Sequence, residues 1–183
     1  INQNFDVADP NNTFPSNPMN ITPYKNGVCF IADDGIHGNE LWIYDGVSAP
    51  QMVFDTNPSA GTGSMNSQNE IVVRNDKIYF VADDGIDGIE LWVFDGGTLP
   101  AILGSNIRKY NINTASSGTG TTYGSSPNNL VIFNNKLYFA ASDSVATGEE
   151  LWCFDGTIAP FMVENINNAE NGSSSPQNFI VHN

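Results

Sequence analysis

Glu40-Leu41-Trp42, Glu90-Leu91-Trp92 and Glu150-Leu151-Trp152 repeat one tripeptide three times, and each copy reaches an Asp-Gly step after two intervening residues, at Asp45-Gly46, Asp95-Gly96 and Asp155-Gly156. Ahead of each copy runs a second shared string: Val28-Cys29-Phe30-Ile31-Ala32-Asp33-Asp34-Gly35, Ile78-Tyr79-Phe80-Val81-Ala82-Asp83-Asp84-Gly85 and Leu137-Tyr138-Phe139-Ala140-Ala141-Ser142-Asp143-Ser144. Phe30, Phe80 and Phe139 set the period at 50 and then 59 residues. Self-similarity at such a period, in units made of short strands, marks a propeller blade or a related β-array.

The middle copy gives the clearest account of the unit. Its apolar runs alternate with period two between turn residues, so each run reads as a strand: 70–74, 77–82, 90–94 and 101–103. The same four runs fall at 19–22, 27–32, 40–44 and 51–54 in the first copy. In the third they fall at 130–133, 136–141, 150–154 and 161–163. Ile78, Phe80 and Ala82 share one face of their strand and Tyr79 and Val81 the other. Both faces are apolar, as expected of a sheet buried between neighbouring sheets. The expected fold is therefore all-β, a β-propeller-like array of four-stranded antiparallel blades, about three and a half repeats long.

The chain divides into a partial repeat at 1–26 (the connecting half), repeat 1 at 27–76, repeat 2 at 77–135 and repeat 3 at 136–183, incomplete at its C-terminal side. A Ser/Thr/Gly/Asn-rich stretch at 105–123 reads as a loop inserted into repeat 2. A closed propeller needs about four to eight blades. Three and a fraction imply a piece of a longer array, or several copies that assemble.

The run Glu150-Leu151-Trp152-Cys153-Phe154-Asp155-Gly156-Thr157 resembles in full the motif that names the ELWxxDGT repeat family. Residues 40–46 and 90–96 match it up to the last position, which is Val47 and Gly97. The flanking pattern of that family also looks present, at 134–139, 82–88 and 124–127. The resemblance implies blade-like tandem repeats in secreted or surface proteins, mostly microbial, with no common activity and no catalytic residues to carry over.

Composition narrows the partners. With 6 Lys plus Arg against 20 Asp plus Glu, the net charge of −14 disfavours nucleic acid and anionic membranes, which need clustered cations. No run approaches the roughly 20 apolar residues of a spanning helix, and residues 1–20 lack the basic start and apolar run of a targeting signal. Starting at Ile1 fits a processed secreted protein or an excised piece. The Asn, Ser, Thr and Gly enrichment points to an extracellular or cell-surface setting. Cys29 and Cys153 stand at non-equivalent repeat positions and read as two buried free thiols.

Four constellations stand out, and the first and last carry alternatives. Asp33, Asp34 and Glu40, with Asp83, Asp84 and Glu90, place carboxylates around a tight loop, where oxygen ligands can hold calcium; equally, the Asp residues cap turn amides in a long hairpin. In the third copy Ser142-Asp143-Ser144 loses one Asp. Asp45, Asp95 and Asp155 read as turn formers whose carboxylates accept amides of the following loop. The recurring glutamates read as a hydrogen bond that every blade needs. Trp42, Trp92 and Trp152 either form the packing ridge between sheets or stack on sugar rings, with Tyr110, Tyr123 and Phe14 as further aromatic candidates.

Asn11, Asn20 and Asn171 open Asn-x-Ser/Thr glycosylation sites in segments read as surface loops. Only His37 and His182 are neutral-pH bases, neither lies in a nucleophile motif, and no phosphate loop or histidine metal cluster occurs, so the chain does not read as an enzyme. The expected function is structural: a surface, adhesive or fibre-forming module that self-associates or joins further repeats. A carbohydrate-binding, lectin-like module, calcium-assisted, is the alternative.

Overall fold

The computed structural model describes residues 15–59, 64–65, 70–114, 124–144, 147–170 and 172–182. It is all-β. Among the described residues, twelve strands form three separate four-stranded antiparallel sheets. The first is a meander of β1 (Met19–Tyr24), β2 (Gly27–Asp33), β3 (Asn39–Tyr44) and β4 (Gln51–Phe54). The second holds β5 (Ile71–Arg74), β6 (Lys77–Asp83), β7 (Ile89–Phe94) and β8 (Ile107–Tyr110), and the third β9 (Asn128–Phe133), β10 (Lys136–Ser142), β11 (Glu149–Phe154) and β12 (Phe161–Glu164).

Turn chemistry fixes each meander. Asn75-Asp76 and Asn134-Asn135 both hold positive φ at both residues, the condition for a two-residue turn that matches strand twist. The register then repeats: Phe30 pairs with Trp42, Phe80 with Trp92 and Phe139 with Trp152, while Ala32, Ala82 and Ala141 pair with Glu40, Glu90 and Glu150. Strand alternation therefore gives every sheet one face bearing Phe, Ala, Glu and Trp and an opposite face bearing Leu.

The core lies between sheets and follows one rule. The Leu face of the first sheet (Cys29, Ile31, Leu41, Val53) packs on the Trp face of the second (Ile78, Phe80, Ala82, Trp92, Phe94). The Leu face of the second (Tyr79, Val81, Leu91, Val93) packs on the Trp face of the third (Leu137, Phe139, Ala141, Trp152, Phe154). Aromatic contacts span both junctions: Phe54 lies 6.1 Å from Trp92, and Tyr110 lies 4.8 Å from Phe154, ring centre to ring centre. The sheets approach most closely through their first strands, β1 beside β5 and β5 beside β9. There Glu70 accepts the amides of Asn129 (2.8 Å) and Leu130, and Tyr24 Oη donates to the Asp76 carbonyl at 3.1 Å.

Two sequence expectations need correction. The fourth strand of the second sheet is Ile107–Tyr110, not 101–103, so it falls inside the stretch read as an inserted loop. The apolar triplet Ala101-Ile102-Leu103 is claimed elsewhere: the Ala101 amide donates to the Val53 carbonyl at 2.7 Å, and Ala101 joins the core between the first two sheets. Ile107–Tyr110 wins the edge because Tyr110 packs on Phe154 while Arg108 and Lys109 meet carboxylates of their own sheet. Second, Asn20 lies in strand β1 at a φ of 54° rather than in a surface loop; Asn11 and Asn171 lie outside the described residues.

Candidate functional site

The repeated glutamates form the best-defined polar sites. Each sits one pleat from the tryptophan and is fully buried, with Glu40, Glu90 and Glu150 all at 0% exposure. Burying a carboxylate is costly unless its oxygens are occupied, and here a connecting segment occupies them. Glu40 accepts from the Thr56 amide (3.3 Å), Thr56 Oγ1 (2.7 Å) and Ser64 Oγ (3.2 Å). Glu90 accepts from the amides of Ile112 (3.1 Å) and Ser125 (3.0 Å) and from Ser125 Oγ. Glu150 repeats this with Ile166 N (3.2 Å), Ser174 N (3.1 Å) and Ser174 Oγ (2.5 Å).

The serine is the relay to the next sheet. Its carbonyl accepts the Asp83 amide from Ser64 and the Ser142 amide from Ser125, which joins each glutamate's connector to the following hairpin. Space is tight there, since a Cβ on Gly124 would lie 2.2 Å from the Ile89 amide nitrogen. Burial pushes the Glu40 carboxyl up to about 7 against the opposing pull of its Thr56 bonds. Burial likewise raises Glu90. The arrangement is a lock: one buried carboxyl gathers the amides and hydroxyls of its connecting segment. Sequence reasoning missed Ser64, Ser125, Ser174 and Thr56. Their signal was a serine recurring 24, 35 and 24 residues after each glutamate.

The acidic loops do not converge on the glutamates. Asp33 and Asp83 each accept a glycine amide two residues on, Gly35 at 2.6 Å and Gly85 at 2.7 Å. Asp34 accepts the amides of Ile36 and His37, both at 2.9 Å, and meets His37 Nδ1 at 2.7 Å. Asp84 accepts the Ile86 and Asp87 amides at 3.0 and 2.9 Å, and Lys109 Nζ bonds both Asp84 and Asp87. Burial alone would raise the Asp84 carboxyl, but Lys109 and the loop amides together hold it below the usual range. Hydrogen bonding thus uses these carboxylates locally, as hairpin caps. Among the described residues no group of three or more His, Cys, Asp or Glu side chains is gathered as a metal cage.

The Asp-Gly steps divide. Asp45 accepts Val47 N (2.9 Å) and Ser48 N (2.7 Å), and Asp155 accepts Thr157 N (2.8 Å) and Ile158 N (3.3 Å). Asp95 instead takes cations, Lys77 Nζ at 2.7 Å and Arg108.

Trp42, Trp92 and Trp152 are 8%, 2% and 6% exposed, so none offers a ring face to a sugar. Trp42 and Trp92 donate Nε1 to the carbonyls of Ala32 (2.9 Å) and Ala82 (3.3 Å), whereas Trp152 Nε1 is buried with no hydrogen-bond partner among the described residues. Tyr110 packs against Phe154 and is no free platform; Tyr123 and Phe14 lie outside the described residues. Cys29 and Cys153 are free and buried. Burial pushes the Cys29 thiol up to about 12. Comparison with family models, with curated proteins and with solved structures finds no match to this chain.

Proposed function

We propose that the chain is a structural and interaction module of a tandem-repeat, β-propeller-like array of the ELWxxDGT kind, working at the cell surface or outside the cell. It acts through stacked blades, adhering or building fibres by self-association or by joining further repeats. One observation carries this reading: both sheet junctions have the same sense, with the Trp face of one sheet on the Leu face of the sheet before it. A head-to-tail contact of this kind has no built-in stop. It closes into a ring or continues as a filament, according to its rotation.

The close approach at the first strands supports blades fanned about an inner edge. The glutamate locks support loops that vary between units, because each buried carboxyl gathers donors from both ends of its connector whatever the connector's length. Burial of all three tryptophans removes the strongest argument for a lectin, and no observation favours that alternative. Sedimentation or light scattering of the purified chain tests the proposal, with assemblies larger than one chain as the expected result. A compact monomer that melts in one cooperative step overturns it.

A further inference from the structure

The two outer faces of the stack are not alike. On the Trp face of the first sheet, Phe30, Ala32 and Trp42 are buried. On the third sheet the Leu face is open. Leu41 and Leu91 are buried in their junctions, whereas Leu151 is half-buried. Tyr79 is buried, whereas its counterpart Tyr138 is half-buried. An apolar groove of about 480 Å³ lies over this face, bounded by Val131, Phe133, Tyr138 and Leu151 on the sheet and by Phe179 and Val181 on the segment that crosses it.

That segment has the backbone of a first strand. Ser175 and Asn178 hold φ of 45° and 57°, matching Ser126 and Asn129 ahead of and within β9 (49° and 54°) and Asn17 and Asn20 at β1 (40° and 54°). Pro176 stands between them as Pro127 and Pro18 do. Ser174 is bonded to Glu150 as Ser125 is to Glu90. Asn178 and Phe179 border the cleft that also contains Glu70 and Asn129, so the row β1, β5, β9 continues into 178–182. Yet residues 176–182 pair with no second strand, and Ile180 is 87% exposed.

We propose that residues 172–182 are the opening strand of a fourth unit, and that the groove beneath them is the socket for that unit's phenylalanine and tryptophan. This rests on the stacking reading above. The occupant is a three-stranded Glu-Leu-Trp meander joined to the strand by the same two-residue turn that follows β5 and β9. The continuing chain is favoured over a second copy here because residues 178–182 already supply a first strand, which a second copy would bring as its own β1. In the two filled junctions this place is taken by Phe80 with Trp92 and by Phe139 with Trp152. The rim differs in one respect: Glu164 stands where Phe54 and Tyr110 reach across to the next sheet, so the occupant meets a carboxylate at its outer edge.

The test appends a second copy of residues 135–170 behind residue 183 of the full chain and follows amide hydrogen exchange. Residues 179–182 are expected to exchange at least about tenfold more slowly than in the unextended chain. A version whose appended copy carries alanine at the counterparts of Phe139 and Trp152 leaves the host sheets intact and is expected to lose that protection. Unchanged exchange in the extended chain, or equal slowing with the alanine version, overturns the proposal. A chain that sediments as a monomer but whose tail is protected by the appended meander would sink the assembly reading alone, so the two failures are separable.

Discussion

At the scale of single residues, the buried glutamate is the costliest choice in the unit, and its consequence is pH dependence. Burial raises the Glu40 carboxyl from 4.5 to about 7, so the folded chain holds that proton more tightly than the unfolded chain. The stability this contributes is complete below the unfolded value and is lost as pH rises through about 7, amounting to on the order of 3 kcal/mol. Glu90 is shifted in the same direction. The melting temperature is expected to fall between pH 5 and pH 8. Self-repulsion of a chain at −14 acts in the same direction. Glu40→Gln separates the two effects: it keeps an acceptor for Thr56 but cannot ionise, so its melting temperature should fall less over that range. An identical slope in Glu40→Gln and the parent would show that this carboxyl does not titrate with unfolding.

At the scale of elements, β8 shows what periodicity alone conveys and what it leaves out. The strands around each Glu-Leu-Trp were legible because Phe80, Ala82, Leu91 and Trp92 alternate with period two, and that alternation dictates both faces and the order of the meander. The edge strand was illegible because Ile107-Arg108-Lys109-Tyr110 contains two cations. They are accommodated only because Asp95, Asp84 and Asp87, distant in sequence, come to stand beside them. The glutamate lock was half legible for a similar reason: the carboxyl recurs at a fixed place in the motif, while its serine partners sit across connectors of unequal length. Lys109 is partly buried between two carboxylates, so Lys109→Met leaves both without their cation and should cost about 1–2 kcal/mol in urea unfolding. Lys136→Met, at an exposed site of the third sheet, should cost less than about 0.5 kcal/mol. Equal costs for the two would mean that β8 is held at the edge by Tyr110 packing and not by its charges.

At the scale of the whole molecule, stability should be graded along the stack, because each sheet touches only its neighbours in a quasi-one-dimensional array. The second sheet has both faces covered by other sheets, with Phe80 and Trp92 on one side and Tyr79 and Leu91 on the other. Full burial of one such side chain is worth about 1.5–3 kcal/mol, so losing a neighbour at either face would cost this sheet several such contributions. The third sheet has one packed face, while on its other side Phe161, Val163 and Phe133 are exposed and Leu151 and Tyr138 half-buried. Opening it uncovers a single junction; opening the middle sheet breaks two. Native-state hydrogen exchange should therefore find the slowest amides in β6 and β7 and faster ones in β10 and β11, even though these strands have the same pairing and register. Trp152→Ala should widen that gap by loosening the junction between the second and third sheets, and Trp92→Ala should narrow it by weakening the middle sheet itself. Uniform rates across all three sheets, unchanged by either substitution, would mean that the molecule opens as one body and that the repeats do not behave as separable units.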